Sequence, residues 1–373
     1  MAESFRRTAL VRKTAGLSYY RIIEIMSIKT IVSWVTLGLV VLIVFLSRHE
    51  LVKAWELMER VNLLILVLLI PLQLLAYYAA GQTIFSYLSK KGSISKIHWI
   101  ERARLALELN FVNHTLPSGG VSGISYMTWR LGKYGVSPGR ATSSQMIRYV
   151  AGFIAAIILI VLAVVAVTID GEINRWIILV SSAIVFFMVF STIGLIYLVN
   201  SRVRMDRVAD WTSTSVNRLV RKITRGRKRK LLDEAKLLHF FTEIHDDYRE
   251  LQRDWRVLTQ PILWALVFTL ADALLFWVTF WALGTPVNPA PILIAYVLAS
   301  LAGFIVVTPG GAGAYEAIMV AFLAVAGIAS GAAIAGIVLT RVIVLVTTIV
   351  LGYVFYQKAV LKHGNSRTTP ERQ

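Results

Sequence analysis

The chain has 373 residues, of which 57% are hydrophobic and only 16% charged, yet its formal net charge is +18 at pH 7. A soluble domain holds about 25% charged residues, so this balance excludes an ordinary water-soluble fold and points to a membrane protein with basic segments between apolar runs. Cysteine is absent, which excludes disulfides, thiolate metal sites and a cysteine nucleophile.

Residues 1–27 read as a polar N-terminal segment. A bilayer-spanning helix needs about 20 mostly apolar residues, and six runs qualify: 28–46, 62–87, 145–169, 176–199, 257–283 and 333–357. The long polar lead and the lack of a small-x-small site after the first run predict an uncleaved span, not a signal peptide. Regions 99–135 and 291–329 are apolar in part but broken by proline and clustered glycines: Pro117, Gly119, Gly120 and Gly123 in one, Pro309, Gly310, Gly311 and Gly313 in the other. They are expected to form re-entrant hairpins of half-helices, since proline ends or starts helices and glycine permits unusual dihedrals. The expected fold is an all-α polytopic membrane protein of about six spans plus two hairpins. Residues 28–200 form the first repeat, 201–256 a basic loop, 257–357 the second repeat and 358–373 a tail.

With the N-terminus inside, the cytoplasmic segments hold 28 of the 39 Lys and Arg residues and the outer ones 4. That asymmetry predicts both termini in the cytoplasm. The loop 201–256 carries eight basic residues between Arg218 and Lys230, after an amphipathic spacing of Val208, Trp211, Ser215, Leu219, Val220 and Ile223. Such segments gain about 1 kcal/mol per charge at an anionic membrane surface. No nucleic-acid recognition fold accompanies the basic run, so the expected partner is anionic lipid and not nucleic acid.

The two broken regions resemble each other. Aligned on Gly120 and Gly311, a glycine recurs at +15 (Gly135) and +16 (Gly327), and an arginine at +28 (Arg148) and +30 (Arg341). One region begins inside and the other outside, which makes an inverted repeat with broken helices, an architecture of transporters. Irregular backbone at membrane depth requires protein or a water-filled cavity around it.

A charge in the hydrocarbon costs about 2.5–3.5 kcal/mol and is a functional candidate by default. The first hairpin arm offers Glu101, Arg104, Glu108, Asn110, Asn113 and His114; Glu101, Arg104 and Glu108 share a helical face and read equally as a structural ion-pair seam. Glu316, Arg341 and Asp272 are single charges in apolar surroundings, and Arg148 lies near the start of its span. Glu316, Arg341, Arg148 and Asp272 are expected to line a polar cavity between the repeats. The arginines would engage phosphate, which guanidinium matches bidentately, and the half-helix N-termini would favour an anion. Gly135-Val136-Ser137-Pro138-Gly139 matches a nucleophile-elbow pattern, which needs a strand-to-helix turn. It reads better as a helix cap with proline at the first position. His239 and His245 read as solvated. No phosphate-binding Gly-x-x-x-x-Gly-Lys motif is present, and neither a cofactor nor a metal is expected.

The run from Asn113 to Gly120 with the following Gly-Val-Ser-Pro-Gly, and the run from Pro309 through Gly313 to Glu316, resemble the membrane region of the bacterial lysylphosphatidylglycerol synthase/flippase family. Arg341 falls where that family tends to place an arginine. Many members carry an arginine soon after the first glycine cluster, where Ser125 and Tyr126 stand here; Arg130 is the candidate substitute. The resemblance covers residues 28–357 and implies a flippase for an anionic or phosphate-bearing lipid in the bacterial cytoplasmic membrane. It implies a stand-alone form, without the aminoacyl-transferase domain. A homo-oligomer and a separate lipid-synthesising enzyme are compatible partners. Three alternatives stay open: secondary transport of a small anion, a lipid-modifying enzyme using Glu108 and His114, and a scaffold that would tolerate every buried-charge substitution. Facilitated movement and proton coupling through Glu316 or Asp272 are equally open.

Overall fold

A computed structural model describes residues 34, 37, 38, 41, 42, 45, 48–59, 61–95, 97–116, 121–169, 175–223, 234–285, 287–305 and 312–363. All regular structure among them is helical. Helix α1 (Arg48–Met58) and the single turn α2 (Leu63–Leu66) lead into α3 (Leu69–Lys90). Asn62 caps the entry, its side chain accepting from the backbone of Leu64 at 3.1 Å. Five helical stretches are long and apolar enough to cross a bilayer: Leu63–Lys90, Pro138–Ile169, Arg175–Val199, Trp255–Ala282 and Ser330–Lys362. They coincide with five of the six expected spans, and the sixth, 28–46, lies largely outside the described residues. The protein is an all-α polytopic membrane protein.

Two halves share one order of helix lengths. The first runs α3 (22 residues), α4 (Trp99–Thr115, 17), α5 (Val121–Gly132, 12) and α6 (Pro138–Ile169, 32). After α7 (Arg175–Val199), α8 (Arg202–Ile223) and α9 (Glu234–Arg253), the second half runs α10 (Thr259–Ala282, 24 residues), α11 (Pro289–Ile305, 17), α12 (Ala314–Val325, 12) and α13 (Ser330–His363, 34). In each half the 17- and 12-residue helices pack on each other, and a left-handed glycine precedes the long helix: Gly135 at φ +81° and Gly327 at φ +88°. Only glycine takes that conformation without strain. The halves interlock reciprocally, with α3 on α10, α4 on α13 and α11 on α6. Gly123 and Gly313 are described; Pro117, Gly119, Gly120, Pro309, Gly310 and Gly311 lie outside the described residues.

The largest core cluster joins both halves through Ile160, Ile184, Phe276, Phe280, Ile294, Met319 and Ile337. On α6 and α7, Leu162, Phe186 and Phe190 are 59%, 72% and 67% exposed, which suits a lipid environment. In lipid the gain from such a core is packing and not removal of water, because acyl chains are as apolar as leucine.

Helices α8 and α9 pack together, and α9 seats on α6. The Gly139 amide, at the start of α6, donates to Glu243 at 2.8 Å, Arg140 pairs with Asp247 at 3.4 Å, and Lys91 pairs with Glu250 at 2.6 Å. The expected cap is present: Ser137 Oγ accepts from the Arg140 amide at 3.4 Å, and Pro138 opens the helix. Two expectations are corrected. His245 is buried and contacts the Val199 carbonyl at 2.7 Å, so only His239 is solvent-exposed. On α8 the buried stripe is Met205, Ala209 and Ser213, while Trp211 is 69% exposed. Arg218 is exposed, and the basic run 224–230 lies outside the described residues.

Candidate functional site

Charges along α4 and α5 are held by one another. Glu108, on the buried side of α4, accepts from Arg130 Nε at 2.8 Å and from the Tyr126 hydroxyl at 2.8 Å. A second Arg130 nitrogen reaches Glu101 at 3.5 Å, and Tyr134 donates to Glu101 at 2.7 Å. The seam expected around Arg104 does not form as drawn. Among the described residues Arg104 meets one carboxylate, Glu101, at 3.5 Å, and lies half-exposed with its guanidinium 5.8 Å from the Phe355 ring. Glu108 turns towards α5 because packing of α4 on α5 brings Arg130 to it, across 22 residues of chain. Gly123 lies against the Asn113 side chain.

A second Glu–Arg pair joins α12 to α13. Arg341 Nε donates to Glu316 at 2.7 Å, and the other Glu316 oxygen accepts from the Gly313 amide at 2.7 Å. Glu316 therefore has a structural reason absent from the linear sequence: it sits in the first turn of α12, where a carboxylate meets the positive end of the helix dipole. The Arg341 guanidinium lies 4.6 Å from the Tyr315 ring. Asp272, on α10, is within electrostatic range of Arg341 and accepts a hydrogen bond from Tyr296 of α11. Ser300, one turn on, hydrogen-bonds with both Tyr296 and Tyr315. His114 contacts the Asn110 carbonyl at 2.8 Å and lies 6.0 Å from the Tyr77 ring. Tyr77 joins Gln73 and Thr348 in a polar bridge from α3 to α13.

Between the halves lies a cleft of about 140 Å³, walled mainly by apolar residues such as Phe153, Phe268 and Val297, with Thr83, Asn110, Arg148, Thr269, Tyr296 and Ser300 among its polar groups. These residues come from α3, α4, α6, α10 and α11, so both repeats build it. Arg148 stacks on Tyr149 at 5.1 Å and makes no ion pair among the described residues. In this it differs from Arg104, Arg130 and Arg341, each of which meets a carboxylate. A larger cleft of about 230 Å³, walled mainly by apolar residues such as Met146, Leu195 and Ile244, contains none of the expected site residues. We therefore place the candidate site at the smaller one. Among the described residues no group of three or more His, Asp or Glu is placed to hold a metal ion.

Of the four residues expected to line one cavity, only Arg148 lines this cleft; Glu316 and Arg341 pair with each other, and Asp272 and Tyr296 link that pair to the cleft. Glu108, Arg130 and Arg104 form a separate cluster. The hydroxyls of Tyr126, Tyr134, Tyr296, Ser300 and Tyr315 were not singled out in the sequence, because tyrosine and serine are unremarkable in apolar runs. One signal was available: Tyr296 and Ser300 are four apart and share a helical face.

The family model for the lysylphosphatidylglycerol synthase TM region matches residues 7–352. The chain belongs to this family. The match includes both hairpins and every candidate residue named above. Within this family the resemblance first seen in the two glycine-rich runs extends over nearly the whole chain. The chain is also 26% identical to a UPF0104 membrane protein of Methanothermobacter thermautotrophicus over 234 residues, 62% of this chain and 67% of that one.

Proposed function

We propose that the protein carries an anionic, phosphate-bearing lipid between the leaflets of the membrane, without altering it chemically. The observation that carries this reading is Arg148: a guanidinium in a mainly apolar cleft between the halves that also presents hydroxyl and amide groups, with no carboxylate partner among the described residues. An unneutralised arginine at membrane depth is costly, and a visiting phosphate, bound bidentately, would offset that cost. The volume is informative. Pockets that enclose a drug-sized ligand run about 300–1,000 Å³, so a 140 Å³ cleft suits a headgroup whose tails stay in lipid.

The matched helix lengths support an internal repeat; its inversion, two re-entrant hairpins, six spans, a cytoplasmic membrane and both termini inside belong to the proposal and rest on the Lys and Arg asymmetry of the connecting segments. The lipid partner and the absence of enzymatic chemistry belong to the same proposal. Glu108 and His114 are held by different partners, Arg130 and the Asn110 carbonyl, which disfavours a joint acid/base pair. The cleft volume also favours a second reading, transport of a small soluble anion. Purified protein in liposomes with a fluorescent-tailed phosphatidylglycerol separates the readings. Leaflet exchange is read by dithionite quenching, lipid mass by mass spectrometry, and phosphate uptake by radiolabel. Exchange with unchanged mass is expected; a mass change would indicate an enzyme, and phosphate uptake without exchange a small-anion carrier.

A further inference from the structure

We infer that Asp272 is a proton site coupled to the anion cleft, with Tyr296 as the donor the two share. The inference rests on the proposed anion site and adds what regulates or drives it. Asp272 is the fourteenth residue of the 24-residue α10, so it sits about 20 Å along the helix at 1.5 Å per residue, flanked by the buried Ala271 and Ala273. The groups facing it come from four elements: Tyr296 of α11 by hydrogen bond, and Arg341 of α13, Tyr315 of α12 and Tyr77 of α3 by electrostatic proximity. Arg341 also serves Glu316 at 2.7 Å. Among the described residues this cluster therefore sets two carboxylates against one guanidinium, one negative charge in excess. An uncompensated charge in the interior is strongly unfavourable, and one proton cancels it.

Tyr296 connects this cluster to the cleft. It donates to Asp272, yet it also lines the cleft, as does Ser300, with which it hydrogen-bonds; Arg148 lines the same cleft from α6. A phenol has one proton to give. While Asp272 is ionised it holds that proton. Once protonated, the carboxyl group donates its own O–H to the phenol oxygen, and the tyrosine hydroxyl turns to an anion beside Arg148. One proton then enters with one anionic charge, no covalent bond changes apart from the protonated carboxyl O–H, and the two binding events favour each other. Coupling between sites is reciprocal and commonly amounts to roughly 5–150-fold in affinity.

The test is equilibrium binding of a short-chain phosphatidylglycerol to the purified full chain in nanodiscs, followed by tryptophan fluorescence over a pH series. The wild type should bind more tightly as pH falls, by a factor within that range. Asp272→Asn should bind with no pH slope, Asp272→Glu should restore one, and Tyr296→Phe should bind weakly at every pH. A flat wild-type profile, or an Asp272→Asn profile with the wild-type slope, overturns the inference. Leaflet exchange in the same preparation keeps the two ideas apart: pH-coupled binding without exchange would sink lipid transport alone, whereas exchange with the wild-type pH slope in Asp272→Asn would sink the coupling alone.

Discussion

Glu108 and Arg130 have side chains only 4% and 3% exposed, whereas Arg104 beside them is 51% exposed. Physics separates the two pairs. Breaking a buried pair by removing one partner typically costs about 3–5 kcal/mol, because a charge is left uncompensated, while an exposed pair is worth about 0–1 kcal/mol. Arg130→Met is therefore expected to lower stability by about 3–5 kcal/mol in a denaturant titration of the detergent-solubilised protein. Glu108→Gln in the same chain should recover much of the loss, and Arg104→Ala should be close to neutral. Glu108, Arg130, Glu316 and Arg341 were all legible as unusual charges, but their pairing was not. Helical spacing reports neighbours on one helix, which places Arg104 between Glu101 and Glu108 and says nothing of α5. The actual partners lie 22 and 25 residues away on a different helix and meet only when helices pack.

At the scale of elements, the spans and the broken helices were legible because apolar runs of sufficient length have few alternatives in a membrane protein. The seating of α9 was not, since its contacts with α6 depend on a turn more than a hundred residues earlier. Glu243 accepts the Gly139 amide at 2.8 Å as a cap supplied from another helix. Glu243→Ala should cost about 0.5–2 kcal/mol and raise hydrogen exchange at residues 139–141 while sparing the middle of α6. A pH effect belongs to the same contact. Burial pushes the Asp247 carboxyl above its usual range, partly countered by Arg140, while Lys91 holds Glu250 below it. Because the seated form of Asp247 binds its proton more tightly, its contribution is full below the ordinary carboxylate pKa and is lost as pH rises through the elevated value. Glu250 acts in the opposite sense, weakly because it is half-exposed. Asp247→Asn should therefore flatten the pH dependence of α9 protection just above the ordinary carboxylate range, as read by hydrogen exchange.

For the whole molecule, the weak sequence repeat becomes persuasive through helix lengths, 22–17–12–32 against 24–17–12–34. The glycine and arginine offsets alone could not reveal the reciprocal packing, because it joins residues from opposite halves. An inverted repeat places the turns after α3 and α10 on opposite faces of the membrane. The chain has no cysteine, so Ser95→Cys and Thr285→Cys can be labelled singly with an impermeant maleimide. Labelling of Ser95→Cys from the cytoplasmic side and Thr285→Cys from the outside is expected; labelling of both from one side would contradict the inversion.

The claim on which the rest depends is that Arg148 receives a phosphate in a cleft built by both halves. The direct test is leaflet exchange of fluorescent-tailed phosphatidylglycerol in liposomes containing wild type, Arg148→Lys or Arg148→Ala, each checked for correct folding. Guanidinium binds phosphate with two parallel hydrogen bonds and ammonium as a point charge, so the rates should fall in that order, with Arg148→Ala near the protein-free background. Wild-type exchange in Arg148→Ala would contradict the account.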